Sequence, residues 1–444
     1  MHRVNAGYTL LLPLREGSVV RAGELLGRLD RNVFERAMTI HFATLTIIPA
    51  QTYRDDQPLP ATLLVATSFA GPADAHVKEL VDLLGEPLRE LFACCEGFDP
   101  KRDLAKFIES NRHDDTFYSG MQNLMPQDVL DHRKLRDEIE RILDEEKGLP
   151  ETPAGVRAAI QERIRSNPKF RWAHDPPKVP LSAFWALHWR TLIVMAIAAA
   201  FTGGLVVSTA LELFVLHDEM LGMAVKLGWL AAIAFAGLLL MLVLGVREAE
   251  KEQKYVAERP PDQRVRELAA TQNRPVINEF VIAGPIKKEG RGRPLVLRLL
   301  MWIVARLAEG IPWVRDGIDI PTVATARWIA ADKGRRLIFI SNYTNSAEPY
   351  VRDFIDVHDG AQRINLTFGF GYGYPKTEWV VNRGALTDPN GFIYVVTKNQ
   401  YETGFWYGRY PDMSIDNIKI NRRIREGLFA KLDEDETREW LALL

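Results

Sequence analysis

Two almost uncharged runs near the middle of the chain restrict its fold more than any other feature. From Thr191 to Leu216 the sequence reads TLIVMAIAAAFTGGLVVSTALELFVL, with Glu212 its only charge, and from Leu227 to Val246 it reads LGWLAAIAFAGLLLMLVLGV. As helices rising 1.5 Å per residue, both suit a hydrocarbon core of about 30 Å. Only the link His217 to Lys226 separates them, so an antiparallel transmembrane hairpin is expected, returning the chain to the side it left. Arg171, Lys178 and Arg190 precede the first run and Arg247, Lys251, Lys254 and Arg259 follow the second, while the link carries Lys226 beside Asp218 and Glu219. This excess of basic charge predicts that both flanks face the cytoplasm. The expected location is an inner or cytoplasmic membrane, crossed twice, with both termini cytoplasmic and the lipid bilayer as partner. Residues 1 to 14 lack the cleavage pattern of a secretory signal.

The flanks have the composition of folded domains. Of 444 residues, 47% are apolar and 26% charged, and 25 Pro with 31 Gly are too few for a disordered or collagen-like chain. Fifty-six basic residues against 58 acidic ones leave a formal charge of −2, which supplies no field for nucleic acid, and no such partner is expected. Cys94 and Cys95 are the only cysteines, and adjacent cysteines rarely close a good disulfide.

Laid over each other, the two flanks match in order. YTLLLPLREG from Tyr8 corresponds to FVIAGPIKKEG from Phe280, TIHFATLTIIPA from Thr39 to PTVATARWIAA from Pro321, and ATLLVATSF from Ala61 to RLIFISNY from Arg336. These read as strands, and the amphipathic stretches AGPADAHVKELVDLL and TNSAEPYVRDFIDVH read as the helices that follow. A fourth strand is expected at about Arg89 to Glu96 and at Ile364 to Tyr372. Beyond it HDDTFYSG at His113 to Gly120 aligns without a gap to YETGFWYG at Tyr401 to Gly408, each leading into a long charged helix. The expected fold is α+β: two ferredoxin-like βαββαβ repeats packed as an intrachain pseudodimer, plus a two-helix transmembrane hairpin. The expected boundaries are a first repeat with its extension over 1–147, a linker over 148–190, the hairpin over 191–246, a linker over 247–275 and the second repeat over 276–444. A basic patch at Lys287, Lys288, Arg291 and Arg293 leads into PLVLRLLMWIVARLA, a helix suited either to headgroups or to packing on its own sheet.

This tandem order resembles the dimeric α+β-barrel superfamily, and the single-chain duplication looks like dye-decolourising peroxidases and relatives of chlorite dismutase. The resemblance covers both flanks, about three-quarters of the chain, and rests on element order. It implies haem as a cofactor and a peroxidase-like or oxygenase-like activity, although the same superfamily includes cofactor-free and non-catalytic members. The peroxidase distal motif is Gly-x-x-Asp-Gly; its counterpart here, Asp356-Val357-His358-Asp359-Gly360, begins with Asp.

Several residues are candidates for chemistry. His41, on the second strand, reads as a cavity-facing ligand or acid–base group, or as an ordinary hydrogen-bonded strand histidine; alternation puts it on one face with Thr39 and Ala43. Arg327 and Arg409, among the aromatic residues of the second repeat, suit a carboxylate, peroxide or haem propionate. His358 is a candidate cofactor ligand. Gly369 and Gly371, alternating in TFGFGYGYP, would let a flat ligand approach a strand, or mark a bent strand. No metal-ligand spacing, Walker loop, GxGxxG motif or serine nucleophile elbow is present. Two functions follow as expectations: a membrane-anchored oxidoreductase acting on a hydrophobic or lipid substrate, or a non-catalytic ligand-binding or assembly protein that recruits a membrane-protein subunit or forms a homo-oligomer.

Overall fold

The computed structural model describes residues 5–53, 57–113, 116–121, 123–145, 148, 150–175, 181–214, 219–251, 255, 257–271, 276–287, 299, 301–302, 322–346, 350–352, 355 and 360–444. In the first half these form β1 (Asn5–Pro13), α1 (Val19–Gly27), β2 (Ile40–Ile48), the short pair β3 (Gln51–Tyr53) and β4 (Gln57–Leu59), β5 (Thr62–Ala70), α2 (Ala73–Phe92), α3 (Leu104–Ser110), β6 (Arg112–His113), β7 (Thr116–Ser119) and α4 (Pro126–Glu145). Then come α5 (Pro153–Ser166), α6 (Leu181–Phe214), α7 (Glu219–Lys251) and α8 (Asp262–Thr271). The second half contains β8 (Ile277–Pro285), β9 (Val323–Ala331), β10 (Arg336–Thr344), α9 (Gly360–Phe368), β11 (Thr377–Glu378), β12 (Asn382–Arg383), α10 (Pro389–Asn399), β13 (Gln400–Tyr401), β14 (Phe405–Gly408), α11 (Ile415–Leu428) and α12 (Glu434–Leu441).

Two five-stranded antiparallel sheets carry the fold, in the orders β14-β2-β5-β1-β6 and β13-β8-β10-β9-β7. Each half therefore contributes four strands to its own sheet and one to the other: β7 pairs with β9, and β14 with β2. The registers agree residue for residue. Tyr8 pairs with Thr67 as Phe280 pairs with Ser341, and Leu45 pairs with Val65 as Trp328 pairs with Phe339. Even the bulges coincide: the ladder skips His41 between Ile40 and Phe42 in one sheet and Ala324 between Val323 and Thr325 in the other. The gap-free alignment of the extensions slips by one at the exchanged strands, since Phe405 lies opposite Leu45 whereas Thr116 lies opposite Trp328. The cause is local, because β13 and β14 are separated by one residue more than β6 and β7.

Strand faces follow from period two. Tyr8, Leu10, Leu12, Leu63 and Val65 face α1 and α2, while Leu64, Ala66 and Ile48 meet Val281, Ala283, Ile329, Ile338 and Ile340 of the other sheet. Burial on both faces is why these strands read as nearly continuous apolar runs. The extension helices close the assembly: Val129 packs with Ile415 and Ile418, and Leu135, Ile139 and Ile142 with Ile424 and Leu428, so α4 and α11 run side by side. α5 joins that cluster through Ile160 and Ile164, which makes part of the expected linker a packed element.

The expected fourth strands are corrected. α2 runs on through a kink at Leu84, close to Pro87, whose ring removes a helical hydrogen bond, and Leu84, Leu88 and Leu91 keep helical spacing to Phe92. What remains of the strand is a bridge between Leu14 and Cys95, and its counterpart is a bridge between Ile286 and Gly371. Both are closed alike: Glu96 N–H donates to the Pro13 carbonyl at 2.8 Å and Tyr372 N–H to that of Pro285 at 2.8 Å. Ile364 lies inside α9 and not on a strand.

α6 begins before the expected span and is described to Phe214, α7 extends beyond its expected span at both ends, and the two pack on each other, with the Trp229 indole N–H donating to Thr209 Oγ1 at 3.1 Å. Among the described residues one stretch, Gly222–Glu248 of α7, is long and apolar enough to cross a membrane, and only 6% of its apolar window is buried in the protein. The described apolar stretch of α6, Met195–Leu211, is shorter. All of the helix expected after Arg293 except Leu299, Met301 and Trp302, and most of TNSAEPYVRDFIDVH, fall outside the described residues.

Candidate functional site

The seam between the halves gathers three of the sequence-derived candidates. The bulge on β2 turns His41 out of alternation, away from the Ala43 face and toward Phe42 and Tyr410. Its ring is 1% exposed. Nδ1 lies 2.7 Å from the Tyr410 hydroxyl, and Nε2 lies 3.1 Å from the Leu124 carbonyl and 3.0 Å from the Asn5 amide nitrogen. Burial pushes its pKa down to about 3, against the Leu124 carbonyl, which favours the proton. Burial also raises the Tyr410 phenol well above its ordinary value, so the pair is neutral.

Arg327 projects from β9 across the sheet interface and is 3% exposed. One guanidinium nitrogen donates to Thr9 Oγ1 at 3.0 Å and the Tyr8 carbonyl at 3.3 Å, the other to the Thr67 carbonyl at 2.9 Å and Ser68 Oγ at 2.8 Å. Its guanidinium carbon sits 5.1 Å from the centre of the Phe117 ring on the exchanged strand β7. Ser68 continues to Thr325 at 3.3 Å, and Thr325 donates to Asn342 Oδ1 at 2.7 Å. Beside this network Thr44 donates to Glu279, again from one half to the other.

Arg409, directly after β14, donates to the carbonyls of Phe34, Glu35 and Ala37 at 3.3, 3.0 and 2.7 Å, the terminal carbonyls of the turn Arg31–Arg36. A cation there suits the negative end of a helical turn. Its own N–H donates to the His41 carbonyl at 3.1 Å, which brings Arg409 and His41 together; the matching bond in the other sheet runs from Gly120 N–H to Ala324.

Gly369 and Gly371 lie elsewhere, and a strand exposing both to a flat ligand does not form. Gly369 closes the end of α9, where a Cβ would meet the Asn365 carbonyl at 2.3 Å. Asn365 is fully enclosed and organises the following loop: its amide donates to the carbonyls of Val381 and Arg383, and its oxygen accepts from Tyr374 and Ala385. Gly371 lines an apolar cleft of about 400 Å³, open mouth included, with Gly284, Phe339, Phe368, Phe392 and Val396. In the first half the position of Gly284 is taken by Leu12 and that of Gly371 by Cys95, both buried, so two lost side chains help to open the cleft. His358 lies outside the described residues.

These groups do not fit haem ligation at His41, because both ring nitrogens are already engaged by Tyr410, Leu124 and Asn5. Among the described residues no cluster of three or more His, Cys, Asp or Glu side chains could hold a metal ion. Cys94 and Cys95 follow α2 rather than lying on a strand, and burial raises the Cys95 thiol to about 12, far from thiolate chemistry at neutral pH.

Two polar centres escaped the sequence reading. His76 on α2 is fully enclosed, stacked on Phe69 at 4.0 Å and bonded to Thr67 at 2.7 Å and Thr39 at 3.2 Å; Tyr350 stacks on Tyr343 at the matching place in the second half. Burial, then the charges of Arg112 and Arg327, push its pKa to about 3. Glu250, near the end of α7, is buried against the β11–β12 hairpin and accepts from Thr377 Oγ1 at 2.7 Å and from Trp379 and Val380 N–H at 2.8 Å each. No family model matches this sequence, and no curated protein is significantly similar to it.

Proposed function

We propose that the chain is a membrane-tethered binding and assembly module, in which two fused α+β halves form one rigid body held at the inner face of a cytoplasmic membrane. The observation that carries this reading is the use made of His41, Arg327 and Arg409. Arg327 and Arg409 commit their guanidinium groups to the opposite half, and His41 gives Nδ1 to Tyr410 of the opposite half while Nε2 is held by Leu124 and Asn5 of its own, so the side chains best suited to chemistry act as locks. The strand order β6-β1-β5-β2, its repeat as β13-β8-β10-β9, and the shared registers and bulges support a duplicated ferredoxin-like unit packed as a pseudodimer.

Parity supports a second crossing. Because β7 and β14 interlock the halves, both halves lie on one side of any membrane, and a chain that crosses once through α7 must cross again between them. α6, packed along α7, is the helix for that return. The excess of Arg and Lys on the flanks supports the cytoplasmic side.

A ligand-binding role for the module is favoured by the apolar cleft beside Gly371, which suits part of a lipid chain or another apolar molecule. The oxidative alternative requires the His41 imidazole to leave Tyr410 and Leu124, or His358 to supply a ligand. The test is an absorption spectrum, with mass spectrometry of retained small molecules, on full-length protein purified gently from haem-supplemented cells. The module reading expects no stoichiometric Soret band and retention of a lipid or a membrane subunit. A stoichiometric Soret band lost in His41→Ala or His358→Ala would overturn it.

A further inference from the structure

We propose that the β11–β12 hairpin is a second membrane contact, laying Trp379 into the headgroup region of the leaflet from which α7 emerges. This rests on the reading of α7 as a membrane span. Val246 is the last apolar residue of that span, and Glu250 lies four residues on, about 6 Å further along the axis. The carboxylate of Glu250 receives the N–H groups of Trp379 and Val380 and the hydroxyl of Thr377, so the hairpin backbone is fixed at the depth of Glu250. Trp379 and Val380 hold φ of 54° and 67°, the left-handed region that side chains with a Cβ enter at a cost, and Val is β-branched.

The Trp379 ring then folds back toward the span. Arg247, one residue past Val246, lies 5.3 Å from the ring centre and donates to Glu378 at 2.6 Å and pairs with Glu250 at 3.6 Å. Trp379 is nonetheless 48% exposed. An indole stacked on an arginine, half open to its surroundings and level with the last turn of a span, has the amphipathic character that the membrane interface favours. The bilayer is the occupant because the covalent helix that leaves it sets the depth of the ring. Two attachment points, α7 and Trp379, would fix how the second half tilts over the lipid.

The test uses the full chain in phosphatidylcholine vesicles containing anionic lipid and a nitroxide at either the headgroup or the mid-chain position. An environment-sensitive label is placed singly at Asn382→Cys on the hairpin, Leu240→Cys within α7, or Glu24→Cys on the first half. The label at 382 should be quenched several-fold more by the headgroup nitroxide than the label at 24, and Trp379→Ala or Glu250→Ala should remove that difference. The label at 240 should prefer the mid-chain nitroxide. If 240 is quenched mid-chain while 382 behaves as 24 does, the hairpin contact is wrong and the span stands. If 240 is not quenched, the span reading falls and the hairpin contact with it.

Discussion

His41 and His76 are neutral in the folded protein because burial pushes each pKa from 6.5 to about 3. Unfolded, each takes up a proton as pH falls through about 6.5, while the folded chain refuses it until about pH 3. Across that window the unfolded state binds more protons, so the stability is complete above pH 6.5 and declines toward pH 3, by up to about 1.4 kcal/mol per pH unit for each histidine. The thermal midpoint should therefore drop between pH 7.5 and 5, and His76→Gln, though less stable at pH 7.5, should show a shallower drop; an unchanged slope would count against the assignment. Arg327→Met removes the guanidinium donations to the Tyr8 and Thr67 carbonyls and to the Thr9 and Ser68 hydroxyls, and should cost about 3 kcal/mol, read by denaturant unfolding. Unchanged stability would contradict the role of Arg327 as a lock between the halves. The sequence marked His41 and Arg327 as unusual for their strands, but not their engagement. A bulge that re-aims His41 leaves no trace in alternation, and His76 and Glu250 sit at positions that look like the polar side of a helix and the charged end of a span.

Elements of long period were legible, and their ends were not. The apolar strands and their order follow from repeated patterns on both flanks. The fourth strand failed because the short run Arg89 to Glu96 and the alternating glycines of TFGFGYGYP fit a strand, whereas Leu88 and Leu91 continue a helix and Gly369 closes one against Asn365. The exchange of β7 and β14 was invisible, since four-residue strands carry no mark of which sheet they join. It is testable at Gly120, where a Cβ would meet the Val323 carbonyl at 2.6 Å. Gly120→Ala, a change in the first half, should speed hydrogen exchange in β9 of the second half and leave β2 protected. Faster exchange in β2 with β9 unaffected would contradict the exchanged pairing. Gly384→Ala should cost about 2 kcal/mol or more, because its φ of 59° and the Asn365 oxygen 2.1 Å from a Cβ leave no room for a side chain; wild-type stability would show that the loop does not depend on Asn365.

For the whole molecule, interlocking has consequences that neither half has alone. A fragment of residues 1–175 keeps β7 but lacks β14, so β2 has an open edge. Two copies can satisfy each other by laying β7 on β2, and light scattering of the fragment should report a dimer; a stable folded monomer would show that the exchange is dispensable. The same interlocking bears on the proposed membrane topology, because halves tied together in this way are expected on one side of a membrane. The most direct test labels single cysteines at Glu24 and Asp435, exposed on either half, and at Met220 at the start of α7, with a membrane-impermeant reagent in right-side-out and inverted vesicles. Glu24 and Asp435 should react together only in inverted vesicles and Met220 only in right-side-out ones; Glu24 and Asp435 reacting from opposite sides would contradict the account.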